Sequence, residues 1–233
     1  MEIRVFGSSS AGNCYHITDG TTGLLLDCGF PYREIQQHMD FRMSKLAGVL
    51  VTHEHQDHCK AVKDFLYAAC IDCYMSRGTA AKLKLNHHRL NLVKAGEKFR
   101  IGTWTVLPFD ITHDAEEPLG FLLASGEEKL LYLTDTAYCR YRFKGLTHVL
   151  VEANYSTDIL DANVAAGVLP AELRNRLRRS HMSLEVCKEF LRANDLSRVQ
   201  EIMLIHLSGG NSDAARFKRE IAALTGRIVT IAG

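Results

Sequence analysis

The sequence predicts an α/β protein in which two mixed sheets pack face to face with helices outside. Three observations lead there. Short apolar runs of strand type dominate the chain, segments of helical period lie between them, and the order of elements suggests two similar halves. With 233 residues the chain is long enough to bury a sizeable core, and a single domain over 1–233 is expected.

Residues 2–6 read as the first strand, 13–18 as the second and 22–27 as the third, which ends in Asp27. Residues 7–13, Gly-Ser-Ser-Ser-Ala-Gly-Asn, read as a loop. A helix over 31–38 leads to the buried strand Ala-Gly-Val-Leu-Val-Thr at 47–52. Residues 58–69 fit a helix, with Val62, Phe65, Leu66 and Ala69 on one face, and 79–86 fit a shorter one. Strands follow at 98–101, 104–109, 120–124, 129–134 and 147–152. Helices are expected at 171–179, 183–194 and 212–224, with late strands at 201–206 and 227–231.

Lys and Arg total 28 and Asp and Glu total 27, so any electrostatic footprint must be local. No apolar stretch approaches the roughly 20 residues that span a bilayer, and no membrane partner is expected. Met-Glu-Ile-Arg-Val-Phe at the start reads as a strand and not as a signal peptide. Seven cysteines at irregular spacings then suggest reduced thiols in a cytoplasmic protein. Cys70-Ile-Asp-Cys73 lacks the second pair that a structural zinc site requires.

One stretch stands apart. Val51-Thr-His-Glu-His-Gln-Asp-His58 gathers three imidazoles and two acids directly after a buried strand. The same pattern, an apolar strand followed by a metal-type residue, recurs at Asp27, Asp135 and His206, and His113 follows the strand near 105–112. His53, His55 and His113 could supply one ion, and Asp57, His58 and His206 a second, with Asp135 shared. Two divalent ions, Zn²⁺ or Mn²⁺, are expected. His87, His88 and His148 read as ordinary core or surface histidines.

His53-x-His55-x-Asp57-His58, with Asp27, His113, Asp135 and His206 in that order, resembles the metallo-β-lactamase superfamily. The resemblance implies a four-layer αββα sandwich with the metals at one edge of the sheets. Gly7-Ser-Ser-Ser-Ala-Gly-Asn13, His113-Asp-Ala115, Leu133-Thr-Asp-Thr136, Glu152-Ala-Asn-Tyr155 and His206-Leu-Ser208 are similar to the YycJ/WalJ branch. That branch is regarded as metal-dependent DNA exonucleases and is related to the tRNA-processing enzyme RNase Z. Lactamases usually carry Cys where Asp135 stands, whereas glyoxalase II also keeps the Asp. His181, in Ser180-His-Met-Ser183, looks like the extra histidine that RNase Z-like nucleases place beside the leaving group, although Ser180 stands where the branch usually has Gly.

The resemblance implies a phosphodiester hydrolase using a metal-bridging hydroxide, with nucleic acid, foremost DNA, as partner. The alternative is a small phosphodiester such as a cyclic nucleotide. A homodimer is compatible with the sequence. The catalytic group would comprise Asp57, His181, Glu152 and Asp27, with Asp27 behind the ligands and His181 serving the departing oxygen. Two readings stay open for Glu152: it orients His181, or it only ends a strand. Glu54 and Asp114 read as supporting or surface acids. Arg174, Arg176, Arg178 and Arg179 lie just before His181 and suit either a solvated helix face or phosphate contact. Ser9 and Asn13, in the small polar loop, could bring backbone amides to a phosphate or merely connect two strands.

Overall fold

The computed structural model describes residues 1–233 as two compact units. The first comprises residues 1–110, 115–127 and 233, and the second comprises residues 111–114 and 128–232.

The first unit begins with strands β1 (Glu2–Ser9), β2 (Gly12–Thr18) and β3 (Gly23–Leu26). Helix α1 (Tyr32–His38) and a 3-10 turn (Met43–Lys45) lead to β4 (Leu46–Leu50). Helices α2 (Gln56–Cys59) and α3 (Val62–Tyr67), strand β5 (Cys73–Met75), helix α4 (Arg77–Lys82) and strand β6 (Leu90–Leu92) follow. These six strands form one mixed sheet in sequence order. β1, β2 and β3 pair antiparallel, and β3 to β6 pair parallel. Strand β3 is buried along its whole length and reads as a continuous apolar run, as a parallel strand covered on both faces must. Leu25, Val49, Val51 and Cys73 pack with Ile35 of α1 and with Val62, Phe65 and Leu66 of α3 in one buried cluster. The unit also holds an antiparallel meander, β7 (Phe99–Ile101), β8 (Trp104–Asp110) and β9 (Leu119–Ser125). Asp19, in the β2–β3 turn, ties this meander to the sheet. Its carboxylate accepts from the Thr21 and Thr22 amides at 2.9 and 2.8 Å, from Ser125 Oγ at 2.5 Å and from Thr103 Oγ1.

The second unit contains β10 (Glu128–Leu133), β11 (His148–Glu152), helices α5 (Thr157–Ala165), α6 (Ala171–Ser180) and α7 (Leu184–Arg192), β12 (Glu201–Ile205), α8 (Ala214–Thr225) and β13 (Ile228–Ile231). Its four strands are all parallel and pair in sequence order. The carboxyl ends of β10, β11 and β12 therefore lie side by side, the location where open parallel sheets carry their sites.

Most expected elements appear, with shifted ends, and the α/β class is the one observed. Three elements were not expected: β5, β6 and α5. The helix expected over 58–69 is two, because the Ala61 amide turns back to the Cys28 carbonyl at 3.0 Å. The loop expected over 7–13 is largely hairpin, with Gly7 opposite Cys14 and Ser9 opposite Gly12. Gly7 serves close packing, since a Cβ there would stand 2.2 Å from the Phe30 ring. No helix is long and apolar enough to cross a membrane.

Candidate metal centre

In the first unit, parallel strands β3 and β4 deliver Asp27 and the segment Thr52–His53 from their carboxyl ends. Asp27 is fully buried and sits in the left-handed region at φ 58°. Its amide still donates to Leu50 O at 2.8 Å, which holds the turn. One carboxylate oxygen accepts from the Thr52 amide at 2.8 Å and the Thr52 hydroxyl at 3.0 Å. The other lies 2.7 Å from His58 Nδ1. That contact places the His58 proton on Nδ1 and leaves Nε2 as the donor of a lone pair. Asp57 Oδ2 is 3.4 Å from the same Nε2. His53 Nε2 and His55 Nδ1 lie 3.1 Å apart, the separation of two neighbouring nitrogens that share an ion at about 2.0–2.1 Å.

The short helix α2 holds Asp57 and His58 in place through its backbone. Cys28 N donates to His58 O at 2.8 Å, and Gly29 packs so closely that a Cβ would stand 1.8 Å from Asp57 O. Asn13 is buried and extends Nδ2 toward Asp57 O at 3.3 Å and His58 Nε2 at 3.1 Å, so its side chain braces this cluster. Cys59 is no donor. Burial, with the nearby Asp27 charge, pushes its thiol up to about 12, and its Sγ reaches Glu54 O. Glu54 Oε1 accepts from the Glu116 amide at 2.8 Å, a supporting role.

In the second unit, His113, Asp135, Glu152, His181 and His206 gather at the carboxyl ends of the parallel strands. Asp135 follows β10 at φ 46° and His206 follows β12 at φ 53°, both left-handed like Asp27. Left-handed backbone is uncommon for non-glycine residues and clusters at functional sites. His113 Nδ1 donates to Ser180 O at 2.7 Å, which orients Nε2 toward Asp135 Oδ2 at 3.7 Å. Burial lowers the His113 pKa, so the ring is neutral and able to ligate. His206 Nε2 lies 3.5 Å from Asp135 Oδ1. Asn154 Nδ2 lies 3.1 Å from His206 Nδ1 and donates to His206 O at 2.8 Å.

Glu152 is the hub of this cluster. It is fully buried, and Oε2 accepts from the Thr136 and Met182 amides at 3.0 Å each. Oε1 is 2.6 Å from His181 Nδ1. Burial alone would raise the Glu152 pKa, but the His181 charge and the hydrogen bonds of His181 and His206 hold it below the ordinary carboxylate value. Burial pulls His181 down, yet the Glu152 charge and hydrogen bond, with Asp135, raise it above the ordinary imidazole value. Both shifts have one main source, the close contact of the Glu152 carboxylate with the His181 ring, and both favour the charged pair. The His181 ring stacks on His206 at 5.4 Å. One donor atom each from Asp135, Glu152, His181 and His206 falls within 4.8 Å of the others.

The arginine run occupies α6. Arg176 Nε pairs with Asp114 at 2.8 Å and Arg178 with Asp161 at 2.8 Å, while Arg174 lies 3.7 Å from Asp161. Arg179 donates to Asn175 O at 3.1 Å. Sequence reasoning missed the braces Thr52, Asn154, Thr136 and the Ser180 carbonyl. Thr52 and Asn154 stand one and two residues from His53 and Glu152, which was the available signal.

Residues 22–207 match the sequence family described as the beta-lactamase superfamily domain. The chain belongs to that superfamily. Exodeoxyribonuclease WalJ of Streptococcus pneumoniae is 25% identical over 226 residues, covering 91% of this chain and 83% of the relative. Exodeoxyribonuclease YycJ of Bacillus anthracis is 24% identical over 229 residues, covering 91% and 84%. Among solved structures, the metallo-beta-lactamase fold protein YhfI from Bacillus subtilis superimposes with a TM-score of 0.75 at 16% identity, covering 99% of this chain and 95% of that one. The two share the metallo-β-lactamase fold. This superfamily member is a metal-dependent hydrolase, and its His and Asp clusters fit a metal site.

Proposed function

We propose that the chain is a two-metal phosphodiester hydrolase that degrades DNA from an end. The observation that carries the reading is the buried Glu152–His181 contact at 2.6 Å, which favours a protonated imidazole close to the Asp135 carboxylate. Hydrolysis of a thioester has less need of an acid, because a thiolate departs with little help. An alkoxide leaving phosphorus gains most from a proton delivered as the bond breaks. The names of the curated relatives support the same substrate class.

In this reading His53, His55 and His113 would hold one ion and Asp57, His58 and His206 the other, and Asp135 would serve both. The ions, Zn²⁺ or Mn²⁺, would lower the pKa of coordinated water and polarise a phosphoryl oxygen. The chain's own residues orient and move protons. Asp27 fixes the His58 tautomer, Ser180 O fixes that of His113, and Asn154 aligns His206. His181 gives its proton to the departing oxygen, and Glu152 keeps it charged until then. Arg174, Arg176, Arg178 and Arg179 contact phosphates by exchanging Asp114 and Asp161 for the ligand, an exchange that costs little at exposed pairs.

The test uses chelator-free protein reconstituted with Zn²⁺ or Mn²⁺ and given end-labelled DNA. Stepwise release of nucleotides, two ions per chain, and loss of both turnover and at least one ion in Asp135→Ala are the expected results. An inert protein with full metal content would overturn the reading. Hydrolysis of a cyclic nucleotide with DNA left intact would move it to the small-substrate alternative.

A further inference from the structure

The residues that follow Asp135, Thr-Ala-Tyr-Cys-Arg-Tyr-Arg-Phe-Lys, interleave aromatic rings with cations. The segment has no helix or strand, yet it is pinned at both ends. Near the metal-type residues, the Thr136 amide donates to Glu152 and the Thr136 hydroxyl donates to Tyr138 O at 2.8 Å. The Ala137 amide donates to Thr112 O at 3.0 Å. At the far end, the Phe143 amide donates to Asn194 Oδ1 at 2.6 Å, and the buried Phe143 ring meets Phe190 of α7 edge to face. Between these anchors Tyr138 is 52% exposed, and Arg140, Arg142 and Lys144 are exposed. The Arg140 guanidinium lies over the Tyr141 ring at 5.1 Å. Segment and helix α7 enclose a cleft of about 270 Å³ whose walls include Tyr138, Arg140, Tyr141, Arg142, Val186 and Glu189.

We infer that this segment is a single-strand platform, on which unpaired bases of the substrate stack as the strand leads to the metal centre. The inference rests on the nuclease reading above and deepens it. Rings and cations in alternation are what an unpaired strand requires: each base presents a π face, and each linkage a negative charge. Glu189 adds one acceptor to walls that also carry Arg140 and Arg142. A carboxylate repels phosphate but accepts from the amino and ring N–H groups of a base. Bases would thus stack on Tyr138 and Tyr141, while the linking phosphates meet Arg140 and Arg142, which share the cleft walls, and the exposed Lys144. Anchoring at Thr136 and Phe143 means that little ordering remains to be done on binding. The chain position matters as much: Tyr138 lies three residues from Asp135 and two from the Thr136 amide that Glu152 holds, so the segment starts where the chain leaves the candidate site.

The experiment measures KM and kcat of the metal-loaded full chain on an end-labelled single strand and on the blunt duplex of the same sequence. In Tyr138→Ala/Tyr141→Ala, KM for the single strand should rise about tenfold for each ring lost. The duplex, whose bases are stacked on each other, should respond far less. Tyr138→Phe/Tyr141→Phe keeps both π faces and should bind as the wild type does. Tyr138→Ala alone removes a half-exposed ring, and it replaces the double variant if that one unfolds. Equal KM values for wild type and Ala variants, with DNA still degraded, would overturn the platform and leave the nuclease reading intact. Equal rises on both substrates, or a Phe variant as weak as the Ala variant, would also overturn it. A wild-type chain that cuts no DNA would overturn both.

Discussion

Replacing Glu152 by Gln isolates the charge of the buried acid from its structural duties. The carboxylate accepts two backbone amides, Thr136 and Met182, at 3.0 Å each and the His181 ring at 2.6 Å. Truncation to Ala would strand two buried N–H groups at about 1–3 kcal/mol apiece and so test folding more than chemistry. Gln keeps an oxygen for the two amides and presents an N–H to His181 Nδ1. The ring then loses the charge that raises its pKa and is held as the neutral tautomer protonated on Nε2, a much weaker acid.

A positioned general acid contributes about 10²–10⁴-fold. That range corresponds to about 3–6 kcal/mol of barrier at about 1.4 kcal/mol per decade. Because the neutral ring still offers an N–H, the lower end applies, and kcat on DNA should fall about 100-fold. On bis(p-nitrophenyl) phosphate the fall should stay under about tenfold, since nitrophenolate departs with little help. Stopped assays on both substrates, with metal content measured on the same samples, decide the matter. Equal losses on the two esters would refute proton donation and make the pair a positioning device. Loss of an ion would instead make Glu152 or His181 a ligand, which the shared 4.8 Å cluster with Asp135 and His206 makes a definite alternative.

Further outcomes follow from the same geometry. Asp27→Asn preserves the left-handed turn but weakens the hold on His58, so metal affinity measured by competition with a chelator should drop about 10–100-fold while the fold survives. Gly29→Ala drives a methyl into the Asp57 carbonyl, and thermal unfolding should show a loss of about 1–3 kcal/mol together with weaker metal binding. Asp19→Ala removes four accepted hydrogen bonds and should cost about 2–4 kcal/mol at neutral pH by denaturant titration. Desolvation raises the Asp19 pKa, but its hydrogen bonds from Ser125, Thr103, Thr22 and Thr21 outweigh this and depress it, so its contribution is present above about pH 4 and is lost as pH falls. The gap between wild type and variant should accordingly shrink in acid. Replacing Arg174, Arg176, Arg178 and Arg179 together by Ala should flatten the salt dependence of KM on DNA, and an unchanged slope would leave them to Asp114 and Asp161.

How far the fold could be read from the chain depended on element length. Leu-Leu-Leu at 24–26 and Leu-Leu-Tyr-Leu at 130–133 stand out because parallel strands buried on both faces must be apolar throughout. β5 and β6, three residues each, are too short for any period to show. Helix α5 escaped because Thr-Asp-Ile-Leu-Asp-Ala-Asn-Val-Ala buries only Leu160, so it lacks an apolar stripe. The glycines at 7 and 12 looked like freedom for a loop but are clearances for the Phe30 ring, a tertiary cause that no local rule contains.

The candidate site divides along a similar line. Asp27, Asp135 and His206 each follow an apolar strand and turn left-handed, a conformation that costs about 1–3 kcal/mol per residue and that Asp and His accept more readily than most. Such an abrupt change from aliphatic to Asp or His leaves a mark in the sequence, which is why the ligand candidates could be named from it. The contacts through which they are aimed leave none. His113 is set by a backbone carbonyl at Ser180, a residue 67 positions away, and His58 by an acid 31 positions away. A carbonyl has no side chain to betray it, and a distant acid acquires meaning only when the chain has folded. The donors thus follow from local chemistry, whereas their protonation states, on which the proposed reaction depends, follow only from the structure.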